Sequence, residues 1–153
     1  MSSALITEAV LQNAWTATKA AFLALAGSRV TNRATGAIVV LDPTSGEIMF
    51  SAAVDEDGEA FYEFAEAKAR LSFREGMPSR KVGQQCPHLF RDGDVKYGGS
   101  TWVDGLVVGF SGVQSEIDEF VANVMAQAII AQCRLAMREI QATESPWIGV
   151  SKS

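Results

Sequence analysis

One lysine stands where a lysine is costly. Residues 59–74 read EAFYEFAEAKARLSFR, a helical pattern. At about 100° per residue, Phe61 and Ala65 mark the middle of its apolar stripe, with Phe64 and Leu71 toward one edge and Ala69 toward the other. Lys68 falls near the stripe's centre and Ser72 lies close by, while Glu59, Glu63, Glu66, Arg70 and Arg74 take the opposite side. An ammonium on a buried face must find a partner or lose its proton. Three chemistries answer to that position. Lys68 snorkels to the rim or pairs with a structural carboxylate. Alternatively, with Arg74, it holds the anionic part of a small ligand. Or it is an amine or base of lowered pKa, acting on a small carboxylate or phenolic carbonyl compound.

A second segment with chemical potential is Tyr97-Gly98-Gly99 together with Gly109-Phe110-Ser111-Gly112, just ahead of the last predicted helix. Glycines at strand ends admit positive φ or close approach of another backbone, and amides opening a helix at Ser115 favour an acceptor group. Tight packing of sheet on helix explains the same glycines. A nucleotide loop is excluded, since both the P-loop lysine and the GxGxxG spacing are missing. His88 is the only histidine, so a metal site built on several imidazoles is excluded too, and no metal is expected. Glu116 and Asp118 open the last helix, where the dipole alone accounts for them.

The elements that must position these residues follow from periodicity and turn signals. A helix is predicted over 4–26, with Leu11, Ala14, Trp15, Thr18, Ala21, Phe22 and Leu25 on one face. Ala37–Leu41 and Glu47–Val54 read as strands joined across Asp42-Pro43-Thr44-Ser45-Gly46, an antiparallel hairpin. Asp55 or Asp57 is placed to cap the helix 59–74, which ends before Gly76 and Pro78. Ser79–Gly99 has no clear period, with one short strand expected near 94–97. Ser100–Val103 and Leu106–Ser111 flank Asp104-Gly105, a strong two-residue hairpin signal. A long helix starts at Ser115 with Asp118 in a capping-box-like position, its apolar face running through Ile117, Phe120, Val121, Val124, Met125, Ala128, Ile129, Cys133, Ala136 and Ile140. Residues 142–153 read as a tail pinned by Trp147. The order is helix, hairpin, helix, hairpin, helix, so the chain is expected to be one α+β domain over residues 1–153 with a mostly antiparallel sheet.

The 153 residues are 48% hydrophobic and 20% charged, ordinary globular composition. A net charge of −5 without a basic run disfavours nucleic acid. Two cysteines make no disulfide framework, no signal-peptide pattern opens the chain, and no stretch of about 18 uninterrupted apolar residues occurs. Cytoplasmic location and no membrane partner are the expectations.

The chain is also similar to a known family. Ala65–Ser72 followed by Arg74, Pro78 and Ser79, then Gly98-Gly99, Asp104-Gly105-Leu106-Val107-Val108-Gly109, Ser111-Gly112 and Glu116-x-Asp118, resembles the GlcG/HbpS-like haem-binding and haem-degrading-type domains. The match spans roughly residues 37–135 and is clearest at 98–118; Thr101 and Trp102 stand where the family pattern has proline and an aliphatic residue. The resemblance implies a profilin-like α/β/α sandwich on about five antiparallel strands, assembled into homo-oligomers. It implies a pocket near Lys68 and the Gly98-Gly99 strand, taking haem or another small acid. For haem iron, Cys86-Pro87-His88 offers one thiolate and one imidazole. The expected function is therefore small-ligand binding, with Lys68, Ser72, Arg74, Tyr97, Gly98, Gly99, Gly109 and Ser111 as site residues. An enzyme using Lys68, or an oligomeric interaction scaffold, are the alternatives.

Overall fold

The computed structural model describes residues 3–149. Among the described residues four α-helices and four strands succeed one another as α1 (Glu8–Gly27), β1 (Ala37–Leu41), β2 (Ile48–Ala53), α2 (Tyr62–Glu75), α3 (Ser79–Gln85), β3 (Ser100–Val103), β4 (Leu106–Ser111) and α4 (Ser115–Gln141). The sheet is open, antiparallel throughout and ordered β2-β1-β4-β3, so the two hairpins meet along their inner strands.

Alternation along β1 sorts the core into two layers. Ile38 and Val40 face α1 and α4, joining Leu11, Trp15, Phe22, Phe110, Met125 and Ile129 in the larger cluster. Val39 and Leu41 face α2, where Val107 completes a smaller cluster with Ala65 and Ala69. All five residues of β1 are buried, as a central strand covered on both faces must be. This is a helix–sheet–helix sandwich, with four strands where five were expected. Residues 94–97 form no strand; Asp94 instead closes a turn on Arg91 and accepts from the Arg74 guanidinium.

Three further boundaries differ from the sequence reading. The first helix begins at Glu8, not residue 4, because Thr7 caps it by accepting from the Val10 amide. The helix expected over 59–74 is split: Asp55 caps a 3-10 turn over Glu56–Phe61, and the α-helix starts only at Tyr62. Ser79–Gln85 is helical although only Ser79 and Val82 are buried, too little apolar surface to leave a period. The tail has no regular element over 143–149, with Trp147 about half exposed, and its last residues lie outside those described. By length and hydropathy α4 would suffice to cross a membrane; here one face of it packs against α1 and the sheet.

Candidate functional site

α2 approaches β4 closely at Gly109, where the absence of a side chain leaves room for the helix backbone. A Cβ at Gly109 would fall on the Ala65 carbonyl and within 3.1 Å of the Ala69 Cβ. The buried face of α2 is then Ala65, Lys68, Ala69, Leu71 and Ser72. Alanine at 65 and 69 brings the helix down, and Lys68 reaches past the end of β4 toward the start of α4.

The Lys68 ammonium is buried and held by two acceptors. Its Nζ donates to Asp118 Oδ2 at 3.1 Å and to the Phe110 carbonyl at 3.3 Å, with the two charged side chains 4% and 2% exposed. It therefore joins α2, β4 and α4 at one point. Gly99 makes the junction possible. A Cβ there would sit 2.7 Å from Lys68 Nζ and 2.9 Å from the Asp118 Cβ, and its φ of +139° already favours glycine. Asp118 is held from the other side by the Val113 amide, which donates to Oδ1 at 3.0 Å. Burial pushes the Asp118 carboxyl up to about 6 despite Lys68 and these amides, and burial pulls Lys68 down despite Asp118. Both directions express one cost, that of keeping an ion pair out of water.

The pair forms the floor of a cleft of about 410 Å³, within the range of small-molecule sites. Phe61, Phe64, Val95, Tyr97 and Val113 supply apolar wall, and Ser111, Gln114, Ser115 and Arg33 supply polar groups. Phe64 is 47% exposed and Tyr97 60%, so both stand at the mouth. Arg33 lies with its guanidinium carbon 5.2 Å from the centre of the Phe61 ring, a cation–π contact.

Of the residues singled out in the sequence, Lys68, Tyr97 and Ser111 line this cleft. Gly99 backs the floor against Lys68. The others stand elsewhere. Ser72 shares a hydrogen bond of 2.6 Å with Ser100, whose hydroxyl also reaches the Lys68 carbonyl, in the buried seam between α2 and β3. Arg74 is occupied by Asp94 (2.7 and 3.1 Å), Glu75 and the Leu89 carbonyl, which raise its already high pKa further and fasten the loop after α3 to α2. Gly98 packs on Arg80 and Gly109 on Ala65, close approaches of chain to chain. His88 is exposed, Cys86 is half-buried, and neither borders the cleft. Cys133 is half-buried at the edge of the larger core, where burial raises its thiol pKa.

In the sequence the helix dipole suffices to explain Asp118; in the structure it is the counter-charge of Lys68. Its position carried a signal all the same. The buried residues of α4 are Asp118, Val121, Ala122, Met125, Ala126 and Ile129, a helical face that Asp118 begins. Arg33, in a stretch that reads only as polar turn, was not singled out and carries no local signal.

No family model matches the chain, and no curated protein sequence does. Solved structures do. HbpS aligns with a TM-score of 0.55 at 24% identity, over 76% of this chain and 86% of that one. A double mutant of Streptomyces reticuli HbpS gives 0.53 at 20% identity, over 75% and 83%. The Ybr137w protein gives 0.58 at 19% identity, over 87% and 80%. At these identities the likeness is one of fold. The fold implied by the resemblance over residues 37–135 is thereby supported structurally.

Proposed function

We propose that this protein is a small-ligand-binding domain whose site is the cleft above the Lys68–Asp118 pair. The observation that carries the reading is a buried, hydrogen-bonded charge pair at the floor of an aromatic-walled cavity. Apolar walls with a few fixed polar groups are what small-molecule sites are made of. Lys68 acts here as a fixed donor. A nitrogen already held by a carboxylate and a carbonyl is poorly placed as a nucleophile, which supports binding over the amine chemistry that Lys68 suggested in the sequence.

Haem, the ligand that the family resemblance implied, fits this cleft poorly. Iron is held in proteins by histidine, cysteine, methionine or tyrosine, and of these the cleft offers only Tyr97. Cys86 and His88 stand outside it. Titrating haemin into the full chain is expected to give no sharp Soret shift; a shift lost in Tyr97→Phe would restore haem as the ligand.

The general reading is tested by screening small aromatic and aliphatic fragments against isotope-labelled protein by NMR. Hits should move the resonances of Phe61, Tyr97 and Gln114. Hits clustered on any other surface would overturn the site. Self-association, which the family resemblance implies, is proposed as a second property on that resemblance alone, since Phe64 and Phe73 stand on opposite sides of α2 and make no single patch. Light scattering on Phe64→Ala and Phe73→Ala variants tests it.

A further inference from the structure

The charges around the cleft are arranged so as to select a ligand. Its lining holds two cations, Arg33 and Lys68, and one anion, Asp118. Lys68 and Asp118 cancel, and the pair carries no net charge whichever partner holds the proton. Both Asp118 oxygens are taken, one by Lys68 and one by the Val113 amide, so a cationic ligand finds no free carboxylate here. Among the described residues Arg33 makes no ion pair and donates no side-chain hydrogen bond. The uncompensated charge of the cleft is thus Arg33.

The floor has one donor to spare. A lysine ammonium carries three N–H groups, and Nζ of Lys68 uses two, toward Asp118 and Phe110. A carboxylate brought to that donor would also meet the Asp118 charge and would lose its hydration in a confined space. A neutral carbonyl oxygen meets neither penalty. Arg33, by contrast, is exposed, and its planar fork suits a carboxylate bidentately. Its place is fixed as well. The Arg33 carbonyl accepts from Thr31 Oγ1 at 2.5 Å, the Asn32 amide donates to Gln114 Oε1 at 3.2 Å, and Gln114 Nε2 donates to the Val30 carbonyl at 3.4 Å. These bonds tie the Arg33 loop to the start of α4.

We infer that the cleft takes an aromatic oxo acid, with its carboxylate on Arg33, its ring among Phe61, Phe64 and Tyr97, and its oxo oxygen on the third N–H of Lys68. The inference rests on the ligand-binding reading given above. Arg33 is then a specificity-determining residue, and the buried pair is a hydrogen-bond donor for a neutral acceptor.

Three probes separate the parts: 4-acetylbenzoate (ring, carboxylate and carbonyl), acetophenone (no carboxylate) and benzoate (no carbonyl). Affinities are read for the full chain from NMR shifts of cleft resonances. We expect 4-acetylbenzoate to bind about ten-fold more tightly than either truncated probe, the size of one charge-assisted contact. Arg33→Met should remove the carboxylate's advantage, so that the variant binds 4-acetylbenzoate no more tightly than it binds acetophenone. Equal affinities for all three probes within the cleft would overturn the oxo-acid assignment and leave the ligand site standing. An advantage that survives Arg33→Met would overturn the role of Arg33. If none of the probes moves a cleft resonance, the oxo-acid assignment falls, and the fragment screen alone decides the ligand-binding reading.

Discussion

Replacing Lys68 by methionine keeps the length and apolar body of the side chain and removes the charge. What remains is Asp118, 2% exposed on its side chain, with one oxygen on a backbone amide and its ionic partner gone. Breaking a buried pair from one side costs about 3–5 kcal/mol. Asp118→Asn strands the ammonium instead, with only the Phe110 carbonyl at 3.3 Å to accept from it. The double variant Lys68→Met/Asp118→Asn removes both charges, and asparagine retains an oxygen for the Val113 amide and a donor for Phe110. We expect each single variant to lose at least about 3 kcal/mol and the double variant to lose less than either, a coupling of roughly 2–4 kcal/mol. Urea denaturation followed by tryptophan fluorescence reads this as a shift in midpoint at constant slope. A Lys68→Met variant within about 1 kcal/mol of wild type would refute the reasoning, since such a small loss belongs to exposed pairs.

The same pair sets a pH dependence. A carboxyl held up to about 6 in the fold, against about 3.9 in the unfolded chain, binds more protons folded than unfolded between those values. Its contribution therefore falls as pH rises from about 4 to 6, and the wild-type melting temperature should decline across that window relative to Asp118→Asn. Asp94 works the opposite way. Arg74 holds its carboxyl below the usual range, so this contribution is present above about pH 4 and is lost on further acidification. Arg74→Met should cost about 1–3 kcal/mol through its charged hydrogen bonds and speed amide exchange over residues 89–99. Gly109→Ala drives a methyl onto the Ala65 carbonyl, and a loss of about 1–3 kcal/mol is expected by thermal melting.

Much of the fold was legible because local signals and tertiary packing agreed. Asp104-Gly105 set the β3–β4 turn, with Asp104 at φ +50° and Gly105 at +91°, and the five-residue loop after Leu41 set the other. Residues 79–99 were illegible for a definite reason. α3 buries only two residues and displays Arg80, Lys81, Gln84 and Gln85, so no apolar period marks it. Val95 and Tyr97 suggest a strand, but the Arg74–Asp94 bonds hold that segment away from any ladder. Arg74 therefore looked like a ligand anchor in sequence because its partner, 20 residues along the chain, lay in the least readable stretch.

The site itself was half visible, and the hidden half was hidden by alanine. Lys68 interrupts an aromatic-rich stripe and attracts attention at once. Asp118 interrupts a face whose buried members include Ala122 and Ala126, and alanine is too small to announce an apolar stripe. The larger residues pull the eye around α4 toward Phe120, which is 43% exposed, and away from the face that packs. Two amphipathic helices, each carrying a single charge on its buried side and of opposite sign, form a complementary pair before any coordinates are known. Neither break in pattern is tolerable alone, because each buried charge is costly without the other. A buried lysine on one helix is thus a reason to search the remaining helices for the carboxylate that answers it. That search should count alanine as core.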